Sequence, residues 1–311
     1  MYILTGGAGF IGSDFLTKLN QEGINDIIVV DNLNNPLKEK NLSNKRFTDY
    51  IHKNDFLSKL SSLSNIEGII HMGACSSTTE TNETYMMQNN FEYTKQLASF
   101  ACAKNIRFIY ASSAATYGEG EQGFSDENFD NLKPLNIYAV SKHLFDKWAI
   151  STGAIKNIVG LKFFNVYGPG ESHKGDMRSV VLKSFEQIQK TGTFSLFKSY
   201  HPDYKDGEQK RDFIYVKDCS NVMWWLLNNQ VNGVYNLGTG LARSWKDLVS
   251  AVFKSLGKDI KISYIEMPES LKAKYQYFTQ AEMTKIKSTG LEVKFTSLED
   301  GVRDYVKLLS I

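Results

Sequence analysis

The sequence predicts an α/β protein, a doubly wound parallel sheet with a smaller mixed α/β domain beside it. Three observations carry that expectation. Short apolar runs alternate with longer helical patterns through the first half of the chain, a glycine cluster follows the first run directly, and the rhythm changes after Phe164.

The candidate strands of the first half are residues 2–5, 27–30, 68–72, 107–112 and 158–163, each a short apolar run bounded by polar or turn residues. Between them, helical periodicity covers residues 11–22, 55–63, 84–104 and 138–151. A loop with Gly168, Pro169, Gly170 and Gly175 then leads to a helical stretch at 178–190 and a polar segment at 201–210. Residues 213–216, a helix at 217–228 and residues 234–237 read as a return to the first sheet, and the last seventy or so residues read as mixed α and β. The expected division is therefore 1–166 with 213–238 as a cofactor-binding domain, and 167–212 with 239–311 as a substrate-binding domain.

The 311 residues are 42% hydrophobic and 23% charged, which is enough to bury a sizeable core. Lys+Arg 36 against Asp+Glu 34 leaves a formal net charge of +2 with no basic block or acidic tail, so no nucleic-acid or membrane partner is expected. Cys75, Cys102 and Cys219 are odd in number and widely spaced, which points away from a disulfide framework and toward a reducing, cytoplasmic compartment. No basic leader precedes the first apolar run, and no apolar stretch approaches the roughly 20 residues that a bilayer span needs. His52, His143, His173 and His201 show no metal-ligand spacing, so no metal is expected, and His71 reads as a packed, hydrogen-bonded histidine.

Gly6-Gly7-Ala8-Gly9-Phe10-Ile11-Gly12 follows the first strand and opens the first helix. Gly6 permits a tight turn, Gly9 lets the backbone approach a pyrophosphate at the helix N-terminus, and Gly12 lets helix and strand pack closely. Asp31 lies nineteen residues beyond Gly12, at the end of the second strand, where a carboxylate accepts hydrogen bonds from a ribose 2′-OH. The pattern predicts a nicotinamide dinucleotide cofactor on a Rossmann-type sheet. Asp31 favours NAD, whereas Lys38 and Lys53 would neutralise a 2′-phosphate if they reach the same pocket, and the residues alone leave both readings open.

Tyr138 and Lys142 stand four apart on one helix face, after a strand that ends in the hydroxyls of Ser112 and Ser113. A cationic Lys142 beside the phenol is expected to lower its pKa and make Tyr138 an acid/base for a substrate hydroxyl.

With these motifs the chain resembles the extended short-chain dehydrogenase/reductase family over nearly its whole length. The resemblance implies that Ser113 hydrogen-bonds the reacting oxygen, Tyr138 moves its proton and Lys142 also holds the nicotinamide ribose. Four further segments, GACSSTTE at 73–80, YMMQNN at 85–90, FFNVYGPGESHKG at 163–175 and YQYFTQA at 275–281, narrow the likeness to the branch of nucleotide-sugar epimerases that inverts C6 of an ADP-activated heptose for the lipopolysaccharide inner core. C6 is exocyclic and has no carbonyl beside it to acidify its hydrogen, so the chemistry fits oxidation to a transient ketone and hydride return to the other face. In that branch a lysine matching Lys174 is the second acid/base.

The resemblance also implies NADP, with NAD as the alternative. It puts Gly6, Gly9, Phe10, Ile11, Gly12, Asp31, Asn32, Lys38, Lys53, Met72, Gly73, Ala74, Cys75, Ser76, Asn89, Lys142 and Val166 at the cofactor. Ser113, Asn165, Lys174, Asp176, Lys183, Phe197, Lys198, Ser199, Tyr200, Arg211 and Tyr275 fall at substrate positions, and a homopentamer is implied as the assembly. The chain departs from the pattern at Asp176, where a serine is usual, at Lys183, where a histidine is, and at Met72, where an acid is. A carboxylate at Asp176 would repel a diphosphate unless Arg178 or Lys183 compensates. The segment 201–210 is longer than the family's usual loop and is expected to reshape the pocket edge.

Other readings compete. A 4,6-dehydratase needs an acid and a base directly after Ser113, where this chain has Ala114 and Ala115. A hexose 4-epimerase keeps the serine, tyrosine and lysine but has no use for Lys174. A non-catalytic NADP-binding regulator would not need the intact Ser113, Tyr138 and Lys142.

Overall fold

The computed structural model describes residues 1–272 and 275–311. The first half runs β1 (Tyr2–Thr5), α1 (Phe10–Gln21), β2 (Ile27–Asp31), α2 (Pro36–Lys40), β3 (Asp49–His52), α3 (Lys53–Leu60), β4 (Gly68–His71), α4 (Glu83–Met86), a π-helical stretch Met87–Glu92, α5 (Tyr93–Lys104), β5 (Arg107–Ser113), a 3₁₀ turn Ala114–Tyr117, α6 (Ile137–Ser151) and β6 (Ile158–Phe163). The second half continues with β7 (Asn165–Tyr167), a 3₁₀ stretch Ser172–Met177, α7 (Val180–Thr191), β8 (Phe194–Phe197), β9 (Lys210–Tyr215), α8 (Val216–Asn228), β10 (Gly233–Leu237), β11 (Ala242–Ser244), α9 (Trp245–Ser255), β12 (Ile262–Ile265), α10 (Glu269–Lys272), α11 (Thr284–Lys287) and α12 (Leu298–Leu309).

Seven parallel strands form the main sheet in the order β10-β6-β5-β4-β1-β2-β3. Its strands are apolar runs because both faces are covered. Alternate residues sort to opposite sides. Leu4, Val29, Ile70 and Ile109 join Phe15, Leu16 and Leu19 of α1 and Val222, Met223 and Leu226 of α8. Ile3, Val30, Ile69 and Phe108 meet Phe56 of α3, Leu97 of α5 and Phe145 of α6. The strand order reverses between β1 and β4, and the carboxyl ends there form the crevice in which such sheets bind ligands.

A second core lies around the three-stranded sheet β11-β9-β7, where Val181 and Ile188 of α7 and Val249 and Phe253 of α9 pack with Val302 and Val306 of α12. Beside it β8 pairs with β12 in parallel.

Four readings from the sequence change. Residues 213–216 do not rejoin the main sheet: Phe213 lies in β9, which pairs with β7 and β11, and only β10 returns, against β6. The strand β3 escaped the periodicity because it is an edge strand, paired to β2 alone, with an exposed Asp49. The helix at 84–104 is interrupted by the π stretch, a feature that often marks functional sites. The helix read at 55–63 begins earlier, with His52 accepting from Asn54 N as its cap. Trp224 and Trp225 are partly buried against the main core, as packing residues. Among the described residues no helix is long and apolar enough to cross a membrane, and no cluster of His, Cys, Asp and Glu could hold a metal ion.

Candidate active site

The glycine turn between β1 and α1 leaves no room for side chains. Gly6 has φ +70, and a Cβ there would lie 2.5 Å from Gly73 N, while a Cβ on Gly12 would lie 2.1 Å from Gly6 O. A Cβ on Gly9 would meet only that same carbonyl, so its other side opens into a cavity of about 410 Å³. Phe10, Ile11 and Gly12 line this cavity from α1, Met72, Gly73, Ala74, Cys75 and Ser76 from the loop after β4, and Tyr138, Lys142 and Lys174 from its far end. An elongated dinucleotide fits such a cleft, with its pyrophosphate over Gly9 at the helix N-terminus.

At the β2 end a smaller cavity of about 160 Å³ gathers Asp31, Asn32, Lys38, Lys53 and Asn89. The buried Asp31 carboxylate accepts three bonds, from Ala8 N at 2.9 Å, from Asn32 N at 2.6 Å and from Lys38. Lys53 donates to Asn89 Oδ1 at 2.8 Å. Burial, then repulsion from Lys38, lowers the Lys53 pKa. Both lysines thus reach one pocket, the condition left open by the sequence.

The cofactor loop is held from beneath by Asn90, which the sequence reading passed over. Asn90 Oδ1 accepts from Cys75 N at 2.8 Å and its Nδ2 donates to Cys75 O at 2.9 Å. A chain of bonds continues from it: Thr94 Oγ1 donates to Asn90 O at 2.6 Å, His71 Nε2 lies 2.9 Å from Thr94 Oγ1, and His71 Nδ1 lies 2.5 Å from Thr5 Oγ1. Thr94 gives its proton to Asn90 O and so accepts from His71 Nε2–H, which leaves Nδ1 to accept from the Thr5 hydroxyl. Burial pushes the His71 pKa down to about 3.

Ser113 ends β5, and Asn136 caps α6 by accepting from Ala139 N at 2.9 Å, which sets Tyr138 in the first turn. Tyr138 and Ser113 both line the substrate-side cavity, Ser113 Oγ accepts from Ala115 N at 3.1 Å, and Lys142 Nζ donates to Ala111 O at 2.7 Å. The expected depression of the phenol is not what this geometry gives. Burial raises the Tyr138 pKa, the nearby Ser113 hydroxyl opposes that, and the Lys142 ammonium is fixed on the Ala111 carbonyl. Burial brings Lys142 down to about 8.

Lys174 lies on the 3₁₀ stretch, with its Nζ 5.2 Å from the centre of the Phe10 ring. Burial lowers its pKa, and the Glu171 carboxylate opposes that. Glu171 is itself buried, accepting from Ser179 Oγ at 2.6 Å, and so ties this loop to the start of α7. Asp176 is exposed. Lys183 donates to its backbone carbonyl at 2.6 Å and Arg178 pairs with Glu186 at 2.7 Å, so neither cation compensates its carboxylate.

A second cavity of about 380 Å³ adjoins the first and shares Tyr138 and Lys174 with it; Ser113, Asn165 and Val166 line this one. Val166, expected at the cofactor, lines this cavity together with Phe10, Ile11 and Ser76. Trp245 separates it from a third cavity of about 270 Å³ lined by Lys183, Phe197 and Tyr275. Arg211 is buried with its guanidinium 5.7 Å from the Trp245 ring and 5.5 Å from the Tyr275 ring, and no carboxylate pairs with it among the described residues. Lys198, Ser199 and Tyr200 line none of these cavities. Lys198 pairs with Glu266 at 2.6 Å, Tyr200 also bonds Glu266, and Ser199 N donates to Asp206 Oδ1 at 2.7 Å. The long loop reaches the site indirectly: His201 and Tyr204 pack on Tyr277 at 5.1 and 5.7 Å, and Tyr277 packs on Tyr275 at 5.2 Å.

Similarity to known proteins follows the same lines. Residues 2–238 match the NAD dependent epimerase/dehydratase family. The chain is 54% identical to the ADP-L-glycero-D-manno-heptose-6-epimerase of Nitratidesulfovibrio vulgaris, over 99% of this chain and 97% of the relative. It is 48% identical to the protein of that name from Fusobacterium nucleatum, again over 99% and 97%. The crystal structure of the Helicobacter pylori ADP-L-glycero-D-manno-heptose-6-epimerase superposes with a TM-score of 0.86 at 30% identity, covering 99% of this chain and 96% of that one. With the glycine turn, the strand order and full-length identity in agreement, this chain belongs to the NAD dependent epimerase/dehydratase family.

Proposed function

We propose that the chain converts ADP-D-glycero-β-D-manno-heptose to its L-glycero epimer, by oxidising C6 to a transient ketone and returning the hydride to the opposite face. The observation that carries this reading is that Tyr138 and Lys174, two groups able to move protons, stand together where the cofactor-side and substrate-side cavities meet. The activity named for relatives at 54% and 48% identity supports the substrate.

The nicotinamide, when bound, accepts hydride from C6 and gives it back. The protein's residues do the rest. Ser113 hydrogen-bonds the C6 oxygen, and Tyr138 takes its proton as C6 is oxidised. Inversion exchanges the positions of the oxygen and of the chain at C6, so a proton must be delivered from a second direction, and Lys174 supplies it. As the Lys174 ammonium gives up that proton it becomes the neutral amine, the form its burial favours. Arg211, beside the Trp245 and Tyr275 rings, is the guanidinium we assign to a diphosphate oxygen pair, which it would meet in exchange for its present bonds to Lys210 O and Gln276 O. Residues 165–215 with 239–311, built around the second sheet, act as the substrate-binding part, and the rest as the cofactor-binding part.

NADP is the cofactor that the residues favour. Asp31 already accepts from Ala8, Asn32 and Lys38, and Lys38 and Lys53 converge on one pocket, where two cations suit a 2′-phosphate. We read the protein as a cytoplasmic homo-oligomer, a pentamer by resemblance, that feeds lipopolysaccharide heptose synthesis. Incubating the purified protein with ADP-D-glycero-β-D-manno-heptose and no added cofactor, then separating the C6 epimers, should show the L-glycero form. No conversion by folded protein, even with NADP or NAD added, would overturn the assignment.

A further inference from the structure

Beneath the reacting groups lies an ion pair that this chemistry does not use. Asp146 on α6 and Lys162 on β6 are both 0% exposed, with Lys162 Nζ 2.7 Å from Asp146 Oδ2. Burying two charges repays its desolvation only when the remaining lone pairs and protons are also matched. They are matched here. Asp146 accepts from Ser112 Oγ at 2.7 Å and from Tyr110 OH at 2.9 Å, and Lys162 donates to Thr116 Oγ1 at 2.6 Å. The ammonium also lies about 5 Å from two aromatic ring centres, 5.1 Å for Tyr117 and 5.0 Å for Phe129.

The partners of this pair surround Ser113. Ser112 precedes it, and Thr116 Oγ1 donates to Ser113 O at 2.8 Å. One end of the ion pair therefore holds the residue before Ser113, and the other holds its carbonyl through Thr116. On α6, Asp146 continues the four-residue spacing of Tyr138 and Lys142, placing a carboxylate one turn beyond the lysine. An apolar pair would fill this space equally well without fixing where β5, the 3₁₀ turn and α6 meet.

We propose that the Asp146–Lys162 pair is a positioning device for Ser113, Tyr138 and Lys142, locking the end of β5 to α6 and setting a fixed negative charge one turn from Lys142. The proposal rests on reading those three residues as the acid–base set. Asp146 acts on both titrating members: it opposes the fall that burial imposes on Lys142, and it adds to the rise of Tyr138. Lys142 also faces Cys75 from the loop after β4, His71 from β4 and Tyr138 on its own helix. Asp146 faces Tyr110, Tyr117, Lys162 and His143. Removing the carboxylate's charge lowers both pKa values. Loss of the Lys142 charge sets the basic limb of kcat, so that limb moves to lower pH.

D146N and K162M should each lower kcat about 10²-fold with KM little changed, as misplacement of a reacting group does. Because each single variant leaves a buried charge unpaired and can fail to fold, the deciding protein is the double variant D146N/K162Q, which removes both charges together. It should melt near the wild-type temperature while the basic limb of its kcat profile stays displaced to lower pH. A folded double variant with the wild-type profile would overturn the proposal. Lys142 can also be titrated without substrate, by NMR of protein labelled at the lysine methylenes with K142R for assignment. Its midpoint should fall in the double variant below the wild-type value, and an unmoved midpoint would overturn the proposal. Wild-type protein inactive on ADP-heptose would sink the substrate assignment, and this titration would still decide the role of the pair.

Discussion

The two sides of the reacting centre are built differently. On one, Ser113, Tyr138 and Lys142 sit on a sheet strand and a capped helix, pinned by Ala111 and by the buried Asp146–Lys162 pair. On the other, Lys174 sits on a six-residue 3₁₀ stretch between β7 and α7, anchored through Glu171 to Ser179. The difference teaches where this fold spends its rigidity. Hydride transfer and its coupled proton need fixed geometry, which regular elements provide. Lys174, proposed as the second group to handle a proton, comes from a loop, where sequence can change without disturbing a core.

Substitutions on the two sides sharpen that contrast. Tyr138→Phe should reduce epimerisation most, by about 10³-fold, because it removes an acid–base group from the fixed side, within the 10²–10⁴ range that such groups contribute. Lys174→Met should cost about 10²-fold and leave the melting temperature close to wild type, since its side chain makes no ion pair among the described residues. A wild-type rate in Lys174→Met would break the two-sided account. At the far end of the rigid side, Lys53→Ala should weaken NADP binding about tenfold while leaving NAD binding nearly unchanged, measured by fluorescence titration of the reduced cofactors. Equal losses for both cofactors would remove Lys53 from 2′-phosphate recognition.

The fixed side should also be the acid-sensitive one. His71 titrates near 6.5 in the unfolded chain but only at about 3 when buried, so between those values the unfolded chain binds more protons. Stability therefore falls as pH drops through this window, by at most about 1.4 kcal/mol per pH unit from this group. Melting curves between pH 7 and 4 should show that slope, and His71→Gln should flatten it. The smallest effect belongs to the loop side: deleting 202–208 should raise the KM for the nucleotide sugar a few-fold through Tyr277 and Tyr275, with kcat retained. An unchanged KM would leave the long loop without a role in the pocket.

The same contrast governs what could be read from the sequence. Tyr2–Thr5 and Ile158–Phe163 were legible to the residue because strands covered on both faces must be apolar throughout. Edge strand β3 carries no such run, and β9 went to the wrong sheet because an apolar run does not name its neighbour. Tyr138 and Lys142 were visible through helical spacing. Asp146 and Lys162 were not, since a charged residue in a helix or strand reads as surface until the structure buries it. Asn90 was equally hidden, lying in a π stretch that has no helical period of its own. Lys174 and Arg211 lie where local pattern carries no signal, and only the likeness of longer segments to a family singled them out.

The central claim is that C6 is inverted by removing and returning its own hydrogen. It is tested most directly with ADP-D-glycero-β-D-manno-heptose deuterated at C6, converted in ordinary water and analysed by NMR. The account requires the L-glycero product to keep deuterium at C6, with no C6 deuterium entering from D₂O when unlabelled substrate is used. Loss of the label to water, or its gain from D₂O, would mean proton abstraction at carbon and would contradict the mechanism.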